Sequence, residues 1–545
     1  MRKKQFAAIV LAAGMLLSAG CGGKTEGTES GQKEPEMQEA EEGAEEENGG
    51  TKENQEESEG IEEEENLGQL DDDNLFASGN TFSWQEITIS IPDSWEGKYQ
   101  VEQVEDGFAL IQTASQEKLE GMGFICGFYR ADGMMPDMAG ATQLAYTDTQ
   151  TYYMSEPTDV SFYYEDEKIS QEYIDMAGLT GAVAATLEID KEGVKYNPDE
   201  FILPLSSTVL AKDEDLFNYS DNELTIARNE IYARHGRQFD SAYLQSYFET
   251  CSWYEGTIPA KEFDESVLSQ IEKDNLQMIK KAEEEYKAEH PYPKEYSIGS
   301  KVKEDLDGDK VAEEIQYSLK EGGQEKFSGM FNINGQEYKL EDYDVHLEDP
   351  VKDVFYVTNI IESWSEEEAE KLELAVLDNG AGNGAVTHFF AYNGELFYIG
   401  NIQGFPFKQK SGYNGFVNYG DVTGEIHLNL PHTCYGYGSW WYNEDEQKLA
   451  GTETGYFRLV PEGSHQLYED LTVHMYADEN STKKIVPAQE KVFFMEVWTE
   501  DGKDGWVLVK GKDGSKGYIH IVDGKIEGLS KTPAEVFSDL NVSNQ

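Results

Sequence analysis

Acidic side chains alternate with other residues in one short stretch of the chain. They occupy the first, third, fifth and ninth positions of that stretch and are Asp305, Asp307, Asp309 and Glu313. Alternate residues in a tight turn can point at one centre, and the backbone carbonyl of Val311 would add a further oxygen. Hard oxygen ligands of this kind suit Ca²⁺. The spacing therefore predicts either a calcium site or a metal-free acidic turn, and the sequence leaves both interpretations open.

This stretch resembles the calcium loops of FG-GAP or VCBS-type β-propeller repeats. Two positions depart from that family, because Lys310 stands where Gly is usual and Glu313 where Asp is usual. The residues that follow, Val311 to Leu319, have the composition of a strand. The glycine-rich turn at 378–384 resembles a degenerate second copy, but a full propeller needs several clear repeats. We therefore predict a compact β-rich domain over 291–460.

A cluster of basic residues stands out in a chain that has 43 Lys and Arg against 107 Asp and Glu. One interpretation is a cationic patch that binds a wall anion or a peptide carboxylate. The other is a buried network with Asn229, Glu230 and Asp240 that fixes helix packing. We favour the network, because charges at helix ends usually serve local structure. The cluster consists of Arg228, Arg234, His235 and Arg237.

A helix must bring this cluster together, and the sequence contains its start and stop signals. Ser220 to Glu223 form a capping box, in which the hydroxyl and the carboxylate satisfy orphan N–H groups. Apolar residues then recur at helical spacing until Gly236, which suits the left-handed residue after a helix. A second short helix and a third helix over Asp264 to Lys287 follow. We predict a small all-α domain over 207–290.

The last turn of the first helix reads Tyr232-Ala233-Arg234-His235-Gly236. It resembles the pentapeptide that gives the YARHG domain its name. The resemblance covers about Leu216 to Glu285, including Ala227 to Ile231 before the pentapeptide and Trp253-Tyr254 after it. It implies an extracellular helical module of bacterial surface proteins, found beside peptidases and wall-associated modules and without an established chemistry.

The densest aromatic run of the chain lies within the predicted β-rich domain, at Tyr435 to Tyr442. Aromatic faces stack on sugars, so Trp440 and Trp441 are candidates for a glycan-binding platform. Trp and Tyr also fill ordinary β-cores, and we favour this second interpretation.

Five short strands separated by Asp-Gly turns predict a small β-barrel over 461–530, followed by a C-terminal tail over 531–545. The strands that hold Trp506 and Tyr518 resemble the end of a bacterial Src-homology-3-like domain. That resemblance implies binding of wall peptide, or contact with another protein, through Trp506 and Tyr518. Both positions also suit a core.

The N-terminus has the pattern of a sorting signal. Arg2 to Lys4 are positive, Phe6 to Leu17 form an apolar run too short for a membrane-spanning helix, and small residues precede Cys21. This end resembles a bacterial lipobox, which implies removal of residues 1–20 and attachment of diacylglycerol to the Cys21 thiol. We expect a lipid anchor on the extracytoplasmic face of the cell membrane. The alternative is an ordinary secretory signal with a chance Cys.

Residues 21–75 are predicted to form a disordered acidic tether, because runs such as Glu62 to Glu65 have almost nothing apolar to bury. Residues 76–206 show period-two apolar patterns and one helix near Ser170 to Met176, which predicts an α+β domain. The formal net charge of the whole chain is -64. This charge argues against nucleic acid as a partner, because phosphate backbones require basic patches.

The sequence contains none of the HExxH, GxSxG, Walker or dinucleotide-binding patterns, and its nine His are scattered. We therefore predict a multidomain, non-catalytic lipoprotein that binds the cell wall or another surface component. The expected partners are the membrane, through the lipid, and peptidoglycan or a surface protein. Two alternatives are an extracellular hydrolase of a wall or other polymer, and a structural surface protein stabilised by calcium.

Overall fold

The computed structural model of the protein describes residues 75–540, apart from 137, 322–326, 361–370, 381–384, 405, 407–414, 419–420, 444–445, 452–454, 478–480 and 500–502. At 415–418 and 421–427 it describes the backbone but not the side chains. The predicted signal, Cys21 and the tether up to residue 74 lie outside the described residues, as does part of the predicted turn at 378–384. Among the described residues, no helix is both long and apolar enough to pass through a bilayer.

The first module combines two antiparallel sheets with short helices. Its strands are β1 (Thr81–Trp84), β2 (Ile87–Ser90), β3 (Tyr99–Val104), β4 (Gly107–Gln112), β5 (Phe124–Asp132), β6 (Ala141–Tyr146), β7 (Gln150–Ser155) and β8 (Glu188–Ile189), and its helices are α1 (Thr113–Lys118), α2 (Glu167–Ala177) and α3 (Thr180–Ala185). The sheet orders are β1-β2-β8 and β3-β4-β5-β7-β6. Alternation along β2 turns Ile87 and Ile89 inward, where they share a core with Trp95 and Phe108.

The helical module follows, with α4 (Asp221–Arg234), α5 (Ala242–Glu249) and α6 (Gln270–Glu289). Reciprocal capping boxes begin α4 at Ser220 and α6 at Ser269. Gly236 has a φ of 78°, as expected for the left-handed residue after a helix. The sequence predicts a third helix from Asp264. In the structure Asp264 caps a 3₁₀ turn at Glu265–Val267, and the α-helix starts only after Ser269 because the capping box lies there.

Two sheets form the next module. Their strands are β9 (Lys294–Ser297), β10 (Lys301–Glu304), β11 (Glu313–Glu321), β12 (Phe327–Ile333), β13 (Gln336–Lys339), β14 (Val354–Thr358), β15 (Glu373–Asp378), β16 (Val386–Tyr392) and β17 (Leu396–Gln403). The orders are β10-β11-β12-β13 and β17-β16-β15-β14-β9. Tyr317 and Phe331 from the first sheet pack against Phe355 and Phe390 from the second. The acidic stretch forms the turn between β10 and β11.

One long sheet organises the remainder of the chain. Its strands are β18 (Gly415–Asn418), β19 (Asp421–Leu428), β20 (Cys434–Asn443), β21 (Lys448–Gly451), β22 (Tyr456–Leu459), β23 (His465–Gln466), β24 (Leu471–His474), β25 (Lys483–Val486), β26 (Lys491–Trp498), β27 (Gly505–Gly511), β28 (Lys516–Val522) and β29 (Lys525–Ile526), and α7 (Pro533–Val536) follows them. The main path is β18-β19-β20-β22-β26-β27-β28-β24-β25.

This sheet differs from the predicted division into a β-rich domain that ends at 460 and a separate barrel. The five strands predicted for the barrel correspond to β24 through β28. However, β22 pairs with β20 on one side and with β26 on the other, so one sheet crosses residue 460. Such pairing joins strands far apart in the chain and leaves no local composition change that would mark it.

Candidate functional site

A cleft of about 250 Å³ lies where the first module meets the helical module. The end of β6 contributes Tyr146, the last turn of α4 contributes Arg234, and the loop after α5 contributes Trp253. Phe201, from the connecting segment between the modules, lies against all three of these side chains. The cleft therefore draws on four separate parts of the chain.

Three aromatic rings form one wall of the cleft. The rings of Phe201 and Trp253 are stacked, with centroids 4.7 Å apart and planes 11° apart. Tyr146 meets Phe201 edge to face at 5.8 Å. The indole N–H of Trp253 donates to the backbone carbonyl of Glu200 at 3.2 Å, which fixes the orientation of that ring. A fixed aromatic face of this kind can pack against an apolar or planar part of a ligand.

Arg234 lines the cleft beside the Phe201 ring and is held by residues of the connecting segment and of α4. Its guanidinium donates to the Ser206 and Ser207 hydroxyls at 2.9 and 3.0 Å and to the Leu203 carbonyl at 2.8 Å, and it pairs with Glu230. Burial raises the pKa of Glu230, and the Arg234 charge opposes that shift. The arginine thus locks the connecting segment onto α4 and shapes the cleft.

The mouth of the cleft carries one charge of each sign. Lys195 Nζ lies 3.4 Å from Asp148, and both side chains are at least half exposed. The same ammonium lies 5.4 Å from the centre of the Tyr146 ring. Burial raises the pKa of Tyr146 to about 12, so its phenol stays neutral near pH 7. The mouth can therefore meet a carboxylate with Lys195 and an amine with Asp148.

The other predicted basic residues make contacts inside the helical module. Arg228 Nε lies 2.9 Å from Glu283, and His235 Nε2 lies 2.9 Å from Glu272. The Arg237 guanidinium lies 5.3 and 5.2 Å from the ring centres of its two aromatic neighbours, Tyr232 and Phe239. The structure thus distributes these side chains among separate partners. Of the carboxylates involved, the sequence predicts only Glu230, because Glu272 and Glu283 come from the distant helix α6.

The acidic loop gathers fewer ligands than its spacing predicts. One carboxylate oxygen each from Asp305, Asp307 and Glu313 lie within 4.8 Å of one another. Asp309 is outside this group, and its carboxylate accepts from the Val311 N–H at 2.7 Å. Burial, aided by Asp307 and Asp305, raises the pKa of Glu313.

Backbone N–H groups already bind several oxygens of this loop. Asp305 accepts from the N–H groups of Gly308 and Lys310 at 2.9 and 2.7 Å, and Glu313 accepts from that of Leu306 at 2.9 Å. Lys310, at the position where the resembling family usually has Gly, takes the left-handed φ of 71°. Backbone hydrogen bonds therefore support the turn, and three of the four predicted carboxylates converge.

The predicted aromatic sites separate into different surroundings. Trp440 packs against the core behind the five-stranded sheet, whereas Trp441, the next residue on β20, is 42% exposed. Trp506 stacks on His520 with centroids 4.2 Å apart. Burial raises the pKa of Tyr518 to about 12. Trp441 is thus the member of the predicted glycan platform that faces outward.

Two lysines of the β27–β28 hairpin contact residues that adjoin the aromatic wall, and we call these contacts the brace. Lys510 and Glu200 form a nearly fully buried ion pair. Lys512 Nζ donates to the carbonyls of Glu249, Cys251 and Tyr254 at 3.2, 2.8 and 3.1 Å. These contacts hold the residues next to Phe201 and around Trp253.

The cleft and these lysine contacts were not predicted from the sequence. The available signal was a charged residue, Lys510, at the end of the apolar run Val507–Val509. Its partner lies in another module, so no local pattern links the two.

Residues 199–284 match the YARHG domain family. The chain therefore contains a YARHG domain, as its sequence predicts. The match begins at Asp199, before the predicted boundary at 207, and so includes Glu200 and Phe201. No curated protein and no solved structure matches the chain.

Proposed function

We propose that this protein is a lipid-anchored, extracytoplasmic, non-catalytic binding protein that holds a peptide end of peptidoglycan in the cleft beside Arg234. The observation that carries the proposal is the combination of a fixed aromatic wall and a two-charge mouth in one cleft. Lipidation of Cys21 would tether the folded modules to the membrane through the acidic segment.

The chemistry of the cleft fits the end of a short peptide. Lys195 would pair with a terminal carboxylate and Asp148 with an amine, while Phe201 and Trp253 cover an apolar side chain. A volume of about 250 Å³ is slightly below the range of roughly 300–1,000 Å³ that is usual for ligand sites. A terminus therefore fits better than the middle of a polymer chain.

A binding role also agrees with how the polar groups of the cleft are used. Among the described residues that line it there is no His or Cys. Ser207, a lining hydroxyl, accepts from Arg234 and also hydrogen-bonds the Glu272 carboxylate, so both contacts hold it in place. These groups support positioning of a ligand.

Sedimentation of the full chain with purified, insoluble peptidoglycan tests the proposal. We expect the wild-type chain to sediment with the wall and Lys195→Glu to sediment at least tenfold less, because the variant repels a carboxylate at the mouth. Lys352→Glu is the matched control, since Lys352 is 54% exposed against 52% for Lys195 and the charge change is the same.

Equal sedimentation of the two variants would remove the cleft from the proposal, and no sedimentation of the wild type would overturn it. Release of soluble wall fragments during the incubation would instead support the hydrolase alternative.

A second candidate function is a calcium-stabilised surface module. The specific observation in its favour is the convergence of Asp305, Asp307 and Glu313 within 4.8 Å. Ca²⁺ would relieve the repulsion among these carboxylates and tie β10 to β11. This candidate is compatible with the binding proposal, because the two use different modules.

A further inference from the structure

Two buried histidines and a half-buried glutamate form a cluster beside the long sheet. His432 precedes β20, Glu462 follows β22, and His465 begins β23. His432 and His465 are 5% and 6% exposed. One donor atom from each of the three residues lies within 4.8 Å of the other two.

The hydrogen bonds of His465 fix the state of its ring. Nδ1 lies 2.9 Å from the Ser538 carbonyl, which can only accept, so Nδ1 must carry a hydrogen. Nε2 then lies 3.4 Å from a Glu462 carboxylate oxygen. In the neutral ring, two lone pairs would face each other at this position. A positive centre, either a proton or a metal ion, must lie between them.

His432 meets the same carboxylate oxygen from another direction. Its Nε2 lies 2.7 Å from Glu462 Oε1, while its buried Nδ1 has no hydrogen-bond partner among the residues that the structure describes. Two imidazoles thus converge on one anion inside a largely apolar region that includes Phe494.

We propose that His432, Glu462 and His465 bind one Zn²⁺ ion, through the two Nε2 atoms and the carboxylate, with a fourth position for water. Imidazole and carboxylate ligands suit zinc, whereas Ca²⁺ prefers oxygen alone. Bonds of about 2.0–2.1 Å place donor atoms roughly 3.3 Å apart around a tetrahedral zinc ion. The two distances to Glu462, 2.7 and 3.4 Å, already lie near that spacing.

The surroundings of the cluster indicate a structural clamp. The Ser538 carbonyl that binds His465 Nδ1 orients the ring for a metal at Nε2, the usual arrangement around zinc-bound histidines. Ser538 belongs to the segment after α7, whose neighbour Phe537 is buried against Phe494. Zinc would therefore join the turn before β20, the segment after β22 and the C-terminal segment.

The test is zinc stoichiometry of the full chain without a histidine tag, stripped with chelator, reloaded with Zn²⁺ and dialysed. We expect one tightly held zinc ion in the wild type and its loss in Glu462→Gln and His465→Gln. The zinc should persist in His346→Gln, a control for an exposed histidine, and in Asp307→Asn, a control for the acidic loop. Zinc should also raise the melting temperature of the wild type and of both controls.

Cobalt loading of the wild type provides a readout that does not depend on how the variants fold. Co²⁺ in this site should give the intense visible bands of four-coordinate cobalt, and Zn²⁺ should abolish them. A wild-type chain that retains no zinc would overturn the proposal and leave a proton between His465 and Glu462. Zinc retained by both cluster variants, or lost in Asp307→Asn, would equally overturn it.

Discussion

The YARHG domain and the acidic loop between β10 and β11 handle charge in opposite ways. In the YARHG domain, Arg228, Arg234 and His235 each lie against a carboxylate of the same domain. In the loop, three carboxylate oxygens lie within 4.8 Å of one another, and the hydrogen bonds described for them come from backbone N–H groups. The first network is complete within the protein, whereas the second gains most from a cation supplied from outside.

This difference shows where each region can take a ligand. Arg234 is already held by Glu230, two hydroxyls and a carbonyl, so it shapes the neighbouring cleft. In the proposed function the ligand instead meets Lys195 and Asp148, whose ion pair with each other is at least half exposed. The loop offers its carboxylates directly. Arg234 of the YARHG pentapeptide thus supports the shape of the cleft, whereas the proposed ligand-binding groups lie outside the pentapeptide.

Among the paired charges, we expect substitution of Lys510, the partner of Glu200, to cost the most stability. Lys510→Met would remove the ion-pair partner of the buried Glu200 carboxylate, so we expect a loss of about 3–5 kcal/mol of unfolding free energy. Burial would raise the pKa of Glu200, but Lys510 and Ser252 hold it below its usual value. Denaturant unfolding of the full chain measures the change.

Lys516→Met is the control, because its ion pair with Asp199 is about half exposed and should contribute under about 1 kcal/mol. The double variant Glu200→Gln with Lys510→Met should recover most of the loss, since neither charge is then buried alone. Equal effects of Lys510→Met and Lys516→Met would show that the brace does not hold the YARHG domain.

Added calcium tests the convergent carboxylates of the acidic loop between β10 and β11. At free Ca²⁺ 100-fold above the dissociation constant, binding should stabilise the folded chain by about 2.7 kcal/mol. Asp307→Asn should abolish the shift in melting temperature, whereas Asp309→Asn should retain it because Asp309 lies outside the convergent group. Loss in both variants would show that the spacing predicts the ligands better than the folded loop does, and identical melting with calcium and chelator would remove the site.

The stability contributions of the two regions should also depend on pH in opposite directions, with a smaller effect. The pKa of Glu313 is raised, mainly by burial, so its stabilising contribution is present below the pKa of an unfolded Glu and is lost as pH rises through the folded value. The pKa of Glu200 is lowered, so its contribution is present above the unfolded value and is lost as pH falls through the folded value.

Glu313→Gln should therefore stabilise the calcium-free chain near pH 7, by no more than about 1 kcal/mol, and should reduce the loss of stability between acidic and neutral pH. Thermal melting of both chains across that range, in chelator, measures the difference. A variant less stable than the wild type at neutral pH would show that the Leu306 N–H bond outweighs the repulsion.

Local signals allowed much of the fold to be predicted. The capping box at Ser220, the left-handed Gly236 and the alternation along β2 each depend on neighbours in sequence, and each occurs in the structure. The third helix was shifted because Asp264 and Ser269 both resemble N-caps, and only Ser269 begins the α-helix.

The features that could not be predicted depend on distant pairing. Glu200 and Lys510 meet across two modules, β22 joins strands on both sides of residue 460, and the cleft collects Tyr146 and Trp253 from separate modules. The place of Asp309 outside the convergent group could not be predicted either, because a short carboxylate can accept from nearby backbone N–H groups; its role as a calcium ligand stays a prediction.

The most direct test of the proposed function is calorimetric titration of the full chain with a soluble peptidoglycan peptide that has a free terminal carboxylate. The proposed function predicts saturable binding at one site, at least tenfold weaker in Lys195→Glu and unchanged in Lys352→Glu. No binding by the wild type, or equal affinity in the two variants, would contradict it.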